Sequence, residues 1–287
     1  MAPIFIAEAS SNHGRELTRA LRFVDAAAAA GCDAVKFQLF RIERMFAPEI
    51  LSKSAKHRAR SDWELPLEHL APLAEHCSAL GIAFSCTPFY REAVAELAPY
   101  VAFYKVASYE LLVRSLLEDC AATGKPVVLS TGMATLDEII VAVETLKQAG
   151  ATDITLLHCV SAYPTPVAEA NLAAIASLRL ATGCKVGWSD HTRRPAVIER
   201  AVHHWQAAAV EFHLDLDGRG AEYATGHCWL PGEIAPVIAR IRESFAADGT
   251  GFKEPQPSER DDRDWRADPS DGMRPLKSIR AVWEPSA

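Results

Sequence analysis

The composition is that of an ordinary globular protein, with 287 residues of which 49% are hydrophobic and 23% charged. A chain of this size buries a full core, so we expect one large domain. The net charge of -7, with dispersed lysines and arginines, argues against nucleic acid or an acidic membrane as a partner. Seven scattered cysteines and the lack of a signal pattern or a membrane-length apolar run predict a cytoplasmic protein with reduced thiols.

Short apolar runs alternate with longer segments of helical period along most of the chain. The predicted strands are Ile4–Ser10, Ala34–Phe40, Ala83–Phe89, Ala102–Ser108, Pro126–Gly132, Ile154–Ser161, Lys185–His191 and Ala207–Asp215. The predicted helices are Leu17–Ala30, Leu67–Leu80, Arg91–Leu97, Leu111–Thr123, Leu136–Ala149, Leu172–Ala181, Ala196–Trp205 and Glu233–Ala246. Glycines at the expected helix ends are Gly31, Gly81, Gly124, Gly150 and Gly183. Eight such units predict an α/β fold, the closed (β/α)8 or TIM barrel.

Two segments fall outside this pattern. The long polar connection Arg41–Pro66 is expected to be a lid or an oligomer contact, because loops of this length usually serve a function. The charged tail after residue 248 contains Trp265 and Trp283, which favour packing over disorder. We therefore predict a catalytic barrel over residues 1–248 and an extension over 249–287 that packs on the barrel or on a partner subunit.

Two histidines, His191 and His213, end successive predicted strands. Because the carboxyl ends of parallel strands meet on one face of a barrel, these side chains are expected to lie close together. Two neutral imidazoles beside Asp190 and Glu211 suit a divalent ion such as Mn²⁺, Zn²⁺ or Fe²⁺. The pattern predicts a metal site held by His191 and His213.

Lysines and hydroxyls occupy the ends of other strands, where a barrel interior usually prefers branched apolar residues. Lys36 and Lys105 can act as point charges for a phosphate or carboxylate. Hydroxyl donors are supplied by Thr87, Ser108, Ser130 and Ser189. Their recurrence predicts a site for a small, multiply charged anion.

An ordered set of motifs resembles the N-acetylneuraminate (sialic acid) synthase family. The motifs are IAEASSNHG (6–14), AVKFQLF (34–40), FSCTPF (84–89), YKVAS (104–108), GKPVVLSTGMATLDEI (124–139), LLHCVSAYPTP (156–166), GWSDHT (187–192) and VEFHL (210–214). The match spans nearly the whole barrel, and its order is more specific than any one piece.

The resemblance implies a TIM-barrel transferase that condenses phosphoenolpyruvate with an N-acetylmannosamine-like aldose to give a 2-keto sugar acid and phosphate. It implies that His191 and His213 hold a divalent metal; Mn²⁺ is the first choice, and Mg²⁺, Co²⁺, Zn²⁺ and Fe²⁺ remain open. Phosphoenolpyruvate would be bound by Lys36, Thr87, Lys105, Ser108, Ser130, Ser161 and Ser189. Glu8 would handle a proton, with Tyr163 and Gln38 lining the site and Glu110 gripping sugar hydroxyls. A homodimer is also implied.

The sequence departs from this family at two places that bear on the sugar. The resemblance does not extend to the C-terminal antifreeze-like domain that lends an arginine to the partner's sugar pocket, and we expect Arg274 or Arg266 to replace it. The Gly-Pro-Asp segment that usually follows the last strand is absent from 217–229, where Glu222 or His227 is expected to substitute.

Two alternatives remain open from the residues. One is a metal-dependent aldolase or lyase that acts on a preformed 2-keto acid and needs no phosphate cradle. The other is a non-catalytic sugar-phosphate binding protein, against which the intact set of Glu8, Lys36, Lys105, His191 and His213 argues.

Overall fold

A computed structural model describes residues 2–284 and contains the predicted closed barrel of eight parallel strands. The strands are β1 (Ile4–Glu8), β2 (Ala34–Leu39), β3 (Ala83–Pro88), β4 (Phe103–Val106), β5 (Val127–Ser130), β6 (Ile154–His158), β7 (Lys185–Asp190) and β8 (Ala209–His213). They pair in sequence order, and β1 closes the barrel by pairing with β8. The predicted TIM barrel is therefore confirmed.

Helices α1 to α13 connect and follow the strands. Their bounds are α1 (Leu17–Ala29), α2 (Ile42–Met45), α3 (Pro48–Lys53), α4 (Ala55–Arg58), α5 (Leu70–Ala79), α6 (Arg91–Leu97), α7 (Arg114–Ala122), α8 (Leu136–Gln148), α9 (Ala174–Thr182), α10 (Pro195–His203), α11 (Pro231–Ala247), α12 (Arg260–Asp264) and α13 (Lys277–Arg280). The five glycines predicted at helix ends all have positive φ, between 69° and 100°. This left-handed conformation costs glycine little, which explains why the helices stop there.

The inner face of the barrel changes from apolar to polar along the strands. A buried cluster of Ile6, Ala34, Phe103, Val128, Leu157 and Ala209 fills one layer of the interior. Two residues further along four of these strands lie Glu8, Lys36, Lys105 and Glu211, which share the same face because side chains alternate along a strand. The strand register aligns Glu8 with Lys36 on one side and with His213 on the other. The fold thus collects ionisable groups in a layer at the carboxyl ends of the strands.

The predicted strands extend too far at these carboxyl ends. β1 ends at Glu8 rather than Ser10, and β7 ends at Asp190 rather than His191. Ser10 has a φ of 47°, in the left-handed region that breaks an extended strand. Apolar and hydroxyl residues continue past each strand end because they line the barrel mouth, so composition alone overestimated the strand lengths.

The connection between β2 and β3 is mostly helical rather than irregular. It contains α2, α3 and α4, followed by a 3-10 helix over Ala59–Trp63. Its predicted role as a lid or oligomer contact stays a prediction.

The chain forms two compact units, Met1–Phe245 and Ala246–Ala287. In the second unit the indole rings of Trp265 and Trp283 meet edge to face at 6.5 Å, and Arg280 forms an ion pair with Asp271 at 2.9 Å. The predicted domain boundary after residue 248 stays a prediction. Among residues 2–284, no helix combines the length and apolar character needed to cross a membrane.

Candidate functional site

A buried ionic cluster of two lysines and two glutamates lies at the mouth of the barrel. Lys36 contacts the Glu8 carboxylate directly, and its Nζ lies 4.0 Å from Glu211 Oε2. Lys105 Nζ lies 3.3 Å from Glu211 Oε1. All four residues are at most 3% exposed. Because isolated buried charges are very costly, the two lysines and two glutamates compensate one another here.

Burial changes the protonation of this cluster. It lowers the pKa of Lys36 to about 7, although the negative charge of Glu211 opposes the shift. For Glu211, burial favours the neutral acid, but Lys105 and Lys36 outweigh it and the pKa is lowered. The positive charge of Lys36 is therefore sensitive to any anion that binds beside it.

A small cradle of hydroxyl groups lies beside the lysines, around Gly132. The Gly132 N–H donates to Ser108 Oγ at 3.0 Å, and Ser108 Oγ lies 3.3 Å from Cys159 Sγ. Ser161 Oγ is buried and has no hydrogen-bond partner among residues 2–284. A Cβ added at Gly132 would lie 2.9 Å from Ser108 Oγ and closer still to Ser161 Oγ. Glycine therefore keeps this space open, and an oxygen-rich ligand could satisfy the free hydroxyl.

Other predicted anion-binding residues lie in the same layer. Lys36 Nζ donates to Thr87 Oγ1 at 3.2 Å, and Ser189 Oγ donates to Glu211 Oε1 at 3.3 Å. Ser130 is also buried, at the end of β5. Gln38 Nε2 donates to Glu8 Oε1 at 3.3 Å, which places this side chain beside the ionic cluster.

His191 lies near His213 and is held in one orientation. Its Nδ1 is 2.7 Å from the carbonyl oxygen of Val160, an acceptor only, so Nδ1 carries the proton and Nε2 is left as an acceptor. The ring packs on Tyr163 at 4.2 Å and lies 5.4 Å from the ring of His213. Burial, with His213 next to it, lowers the pKa of His191 to about 3. His191 is therefore a neutral imidazole, which is the form that binds a metal.

A second cluster of ligand-type atoms surrounds His213. Its members His213, Glu222, His227 and Cys228 place one such atom each within 4.8 Å of one another. His213 Nδ1 lies 3.1 Å from Glu222 Oε2, and His227 Nε2 lies 3.7 Å from the same oxygen. Glu222 and His227 come from the loop between β8 and α11, where the sequence predicted a replacement for the Gly-Pro-Asp segment.

This loop is fixed by contacts to the residues that follow β1. The Glu222 N–H donates to Asn12 Oδ1 at 2.9 Å, while Asn12 Nδ2 donates to the carbonyl of Leu214 at 3.1 Å. Ser10 Oγ donates to the Glu222 carboxylate. A Cβ at Gly220 would collide with Asn12, so only glycine allows this close approach.

Asp190 is fully occupied by structural hydrogen bonds. Its carboxylate accepts from the indole N–H groups of Trp188 at 3.1 Å and Trp229 at 3.0 Å, and from the hydroxyl of Thr192 at 2.7 Å. The backbone N–H of Arg193 also donates to it. Asp190 therefore supports the loop after β7, and its carboxylate is not free to act as the metal ligand that its position beside His191 suggested.

Glu110 and Arg274 complete the set of predicted residues. Glu110 follows β4, and its Oε2 is buried without a hydrogen-bond partner among the described residues. Burial raises the pKa of Glu110 to about 8, although Lys105 opposes the shift. Arg274 belongs to the second compact unit, and its contact with a sugar stays a prediction.

Sequence reasoning did not assign a role to Ser10, Asn12 or Cys228. Ser10 and Asn12 lie within the IAEASSNHG motif, whose polar run directly after an apolar strand was the available signal. Their partners lie about 200 residues away, and no local pattern shows such a contact.

Comparisons with known proteins agree on one family. The model of the NeuB family matches residues 23–253. The N,N'-diacetyllegionaminic acid synthase of Campylobacter jejuni is 35% identical over 269 residues, covering 89% of this chain and 80% of the relative. The spore coat polysaccharide biosynthesis protein SpsE of Bacillus subtilis is 33% identical over 267 residues, covering 88% of this chain and 71% of the relative.

Comparison with solved structures also finds proteins similar to this chain. The N-acetylneuraminic acid synthetase of Leptospira borgpetersenii, in complex with citrate, superposes with a TM-score of 0.79 at 32% identity. The alignment covers 91% of this chain and 90% of that one. A truncated 3-deoxy-D-arabino-heptulosonate 7-phosphate synthase of Thermotoga maritima, at 15% identity and a TM-score of 0.67, shares the fold.

Proposed function

The chain belongs to the NeuB family, and we propose that it joins phosphoenolpyruvate to an N-acetylmannosamine-like aldose, giving a 2-keto-3-deoxy sugar acid and phosphate. The observation that carries this proposal is the buried lysine pair, Lys36 and Lys105, beside a cradle of hydroxyls with an unpartnered Ser161. Relatives named as legionaminic acid and pseudaminic acid synthases support a sugar acid as the product class.

Phosphoenolpyruvate fits the charge of this pocket. It is close to a trianion near neutral pH, and two lysines with several hydroxyls can offset that charge and hold the substrate in one orientation. In our proposal the residues that bind it are Lys36, Thr87, Lys105, Ser108, Ser130, Ser161 and Ser189. Because the pKa of Lys36 is lowered to about 7 by burial, we expect the bound anion to favour its charged form.

The donor set beside this pocket fits a divalent metal. The accepting Nε2 of His191 and the imidazole of His213 are the residues we propose to hold it. When bound, such an ion acts as a Lewis acid toward the aldehyde oxygen of the acceptor. Two imidazoles accept several ions, and Mn²⁺ is our first choice.

Glu8 is placed to handle a proton in this reaction. In the proposed sequence C3 of phosphoenolpyruvate bonds to the aldehyde carbon, water adds to C2, and the C2–O bond to phosphate breaks to leave the keto group. A carboxylate can take the proton of the attacking water. Glu8 lies against Lys36 and accepts from the Ser10 N–H at 2.8 Å and from Gln38, which fixes its orientation.

We assign the binding of the acceptor aldose to residues near the mouth of the barrel. Tyr163 packs on His191, and burial raises the pKa of its phenol, so we propose that it stays a neutral hydrogen-bond donor. Gln38 and Glu110 are proposed to contact sugar hydroxyls or the acetamido group, while a sugar contact of Arg274 stays a prediction from the sequence. By the same family likeness we propose a cytoplasmic homodimer, which size-exclusion chromatography with light scattering would test.

The decisive experiment is incubation of the purified protein with phosphoenolpyruvate, Mn²⁺ and a panel of aldoses, reading phosphate release and product mass. We expect phosphate release that depends on one aldose, with a product whose mass is the sum of both substrates plus water minus phosphoric acid. Cleavage of a 2-keto sugar acid without any reaction of phosphoenolpyruvate would instead favour the aldolase alternative.

A further inference from the structure

The loop between β8 and α11 places ligand-type side chains beside His213. Residues near its end return beside β8: the Trp229 N–H donates to the His213 carbonyl at 2.8 Å, and the Asp215 N–H donates to the Trp229 carbonyl at 2.8 Å. This return brings the rings of His213 and His227 to 4.5 Å. Both imidazoles then face the carboxylate of Glu222.

The orientation of His227 is also fixed. Its Nδ1 lies 2.6 Å from Thr225 Oγ1, and the same hydroxyl lies within hydrogen-bond distance of the Glu222 carbonyl. This leaves Nε2 of His227 directed at Glu222 Oε2, 3.7 Å away. His227 is 3% exposed, so this arrangement is built into the interior rather than formed by chance on the surface.

The spacing of these atoms matches the shell of one ion. Ligand atoms about 2.0–2.3 Å from a shared transition-metal ion lie roughly 3–4.5 Å from each other. The candidate ligand atoms of His213, Glu222 and His227 all lie within 4.8 Å of one another. Two imidazoles and one carboxylate suit a transition-metal cation better than Mg²⁺ or Ca²⁺, which prefer oxygen ligands.

We propose that Glu222 and His227 are direct ligands, together with His213, of a divalent transition-metal ion in this chain. The inference rests on the metal site of the proposed function and extends it, because it gives Glu222 a metal-binding role instead of the sugar contact that the sequence predicted. Together with His191, these residues would give the ion four protein ligands, which are expected to hold it more tightly than two histidines alone.

The test measures metal binding directly, without relying on activity. Metal-free wild-type protein and the near-isosteric variants Glu222→Gln and His227→Gln are titrated with Co²⁺, recording the visible absorption spectrum and the dissociation constant. Asp217→Asn, in the same loop, and His204→Ala, at the exposed position directly after α10, are the matched controls. Thermal unfolding checks that every variant is folded.

We expect both variants to change the Co²⁺ spectrum and to weaken binding more than about 100-fold, beyond the loss usual for a residue that only orients a ligand. The controls are expected to match wild type. If either folded variant gives the same Co²⁺ spectrum as the wild-type protein, the assignment is refuted, whatever the affinity of that variant. The assignment is also refuted if the wild-type protein binds no Co²⁺. Phosphate release from phosphoenolpyruvate is assayed in parallel. Its absence with every aldose refutes the proposed function and leaves the metal result to stand by itself.

Discussion

Replacing Gly132 by alanine tests the hydroxyl cradle most directly. The added Cβ would lie 2.9 Å from Ser108 Oγ, 3.1 Å from Cys159 Sγ and nearer still to Ser161 Oγ, distances that buried Cβ atoms rarely or never show. Relative to an ordinary contact of about 3.5–4.0 Å, Ser108 and Cys159 must move by roughly 0.5–1 Å and Ser161 by more than about 1 Å. Gly132 does not have a positive φ, so the effect is steric rather than conformational.

A misplacement of this size can reduce the rate about 100-fold, equivalent to about 2.7 kcal/mol of transition-state stabilisation. We expect Gly132→Ala to raise KM for phosphoenolpyruvate, or lower kcat/KM for it, by about this factor, while the KM of the aldose changes little. Steady-state phosphate release at varied concentration of each substrate measures both. Gly232→Ala is the matched control, because nothing lies within 4 Å of a Cβ there.

A double variant strengthens the test. Ser161→Ala removes the hydroxyl closest to the new methyl group, so the double variant should lose less activity than the product of the two single losses. A folded Gly132→Ala protein with wild-type kcat/KM for phosphoenolpyruvate would refute the reasoning that this cradle binds the substrate.

Three further predictions concern stability. Burial raises the pKa of Glu110 to about 8, so the folded state keeps a proton that the unfolded state loses, and stability falls as the pH rises from about 4.5 to 8. Urea unfolding should show that Glu110→Gln gains stability relative to the wild-type protein as the pH rises over this window. A difference in unfolding free energy that stays constant with pH would contradict the prediction. Asp190→Asn should lower the free energy of unfolding by about 2 kcal/mol or more, because the buried carboxylate accepts several hydrogen bonds. A change below about 0.5 kcal/mol would show that these hydrogen bonds contribute little to stability. Lys105→Met should lower the free energy of unfolding by about 3 kcal/mol, because it leaves Glu211 without its nearest cation. Adding Glu211→Leu should restore the stability but not the activity. Equal stability of the single and the double variant would contradict this.

The fold was predictable because its signals are local and repeated. Short, nearly continuous apolar runs alternate with segments of period 3.6 along the barrel, and glycines such as Gly31 and Gly183 mark helix ends where a positive φ is needed. Strand ends were less predictable, because the same residue types continue into the loops of the barrel mouth.

The positions of the candidate site residues were most predictable where the residue lies in a strand, and their roles stay predictions. Lys36, Lys105 and His213 follow from the barrel geometry once the strands are placed. The contacts of Asn12 with the loop that carries Glu222 depend on how a 17-residue connection folds back, which no periodicity encodes.

The contact of Asn12 with Glu222 also bears on the order of events in folding. It joins residues 210 positions apart, next to the seam where β1 pairs with β8. Closing a loop of this length costs entropy, so we expect this contact to form late in folding. The metal-ligand geometry around Glu222 would therefore arise only after the first and last strands have met, so metal uptake during refolding would report on barrel closure.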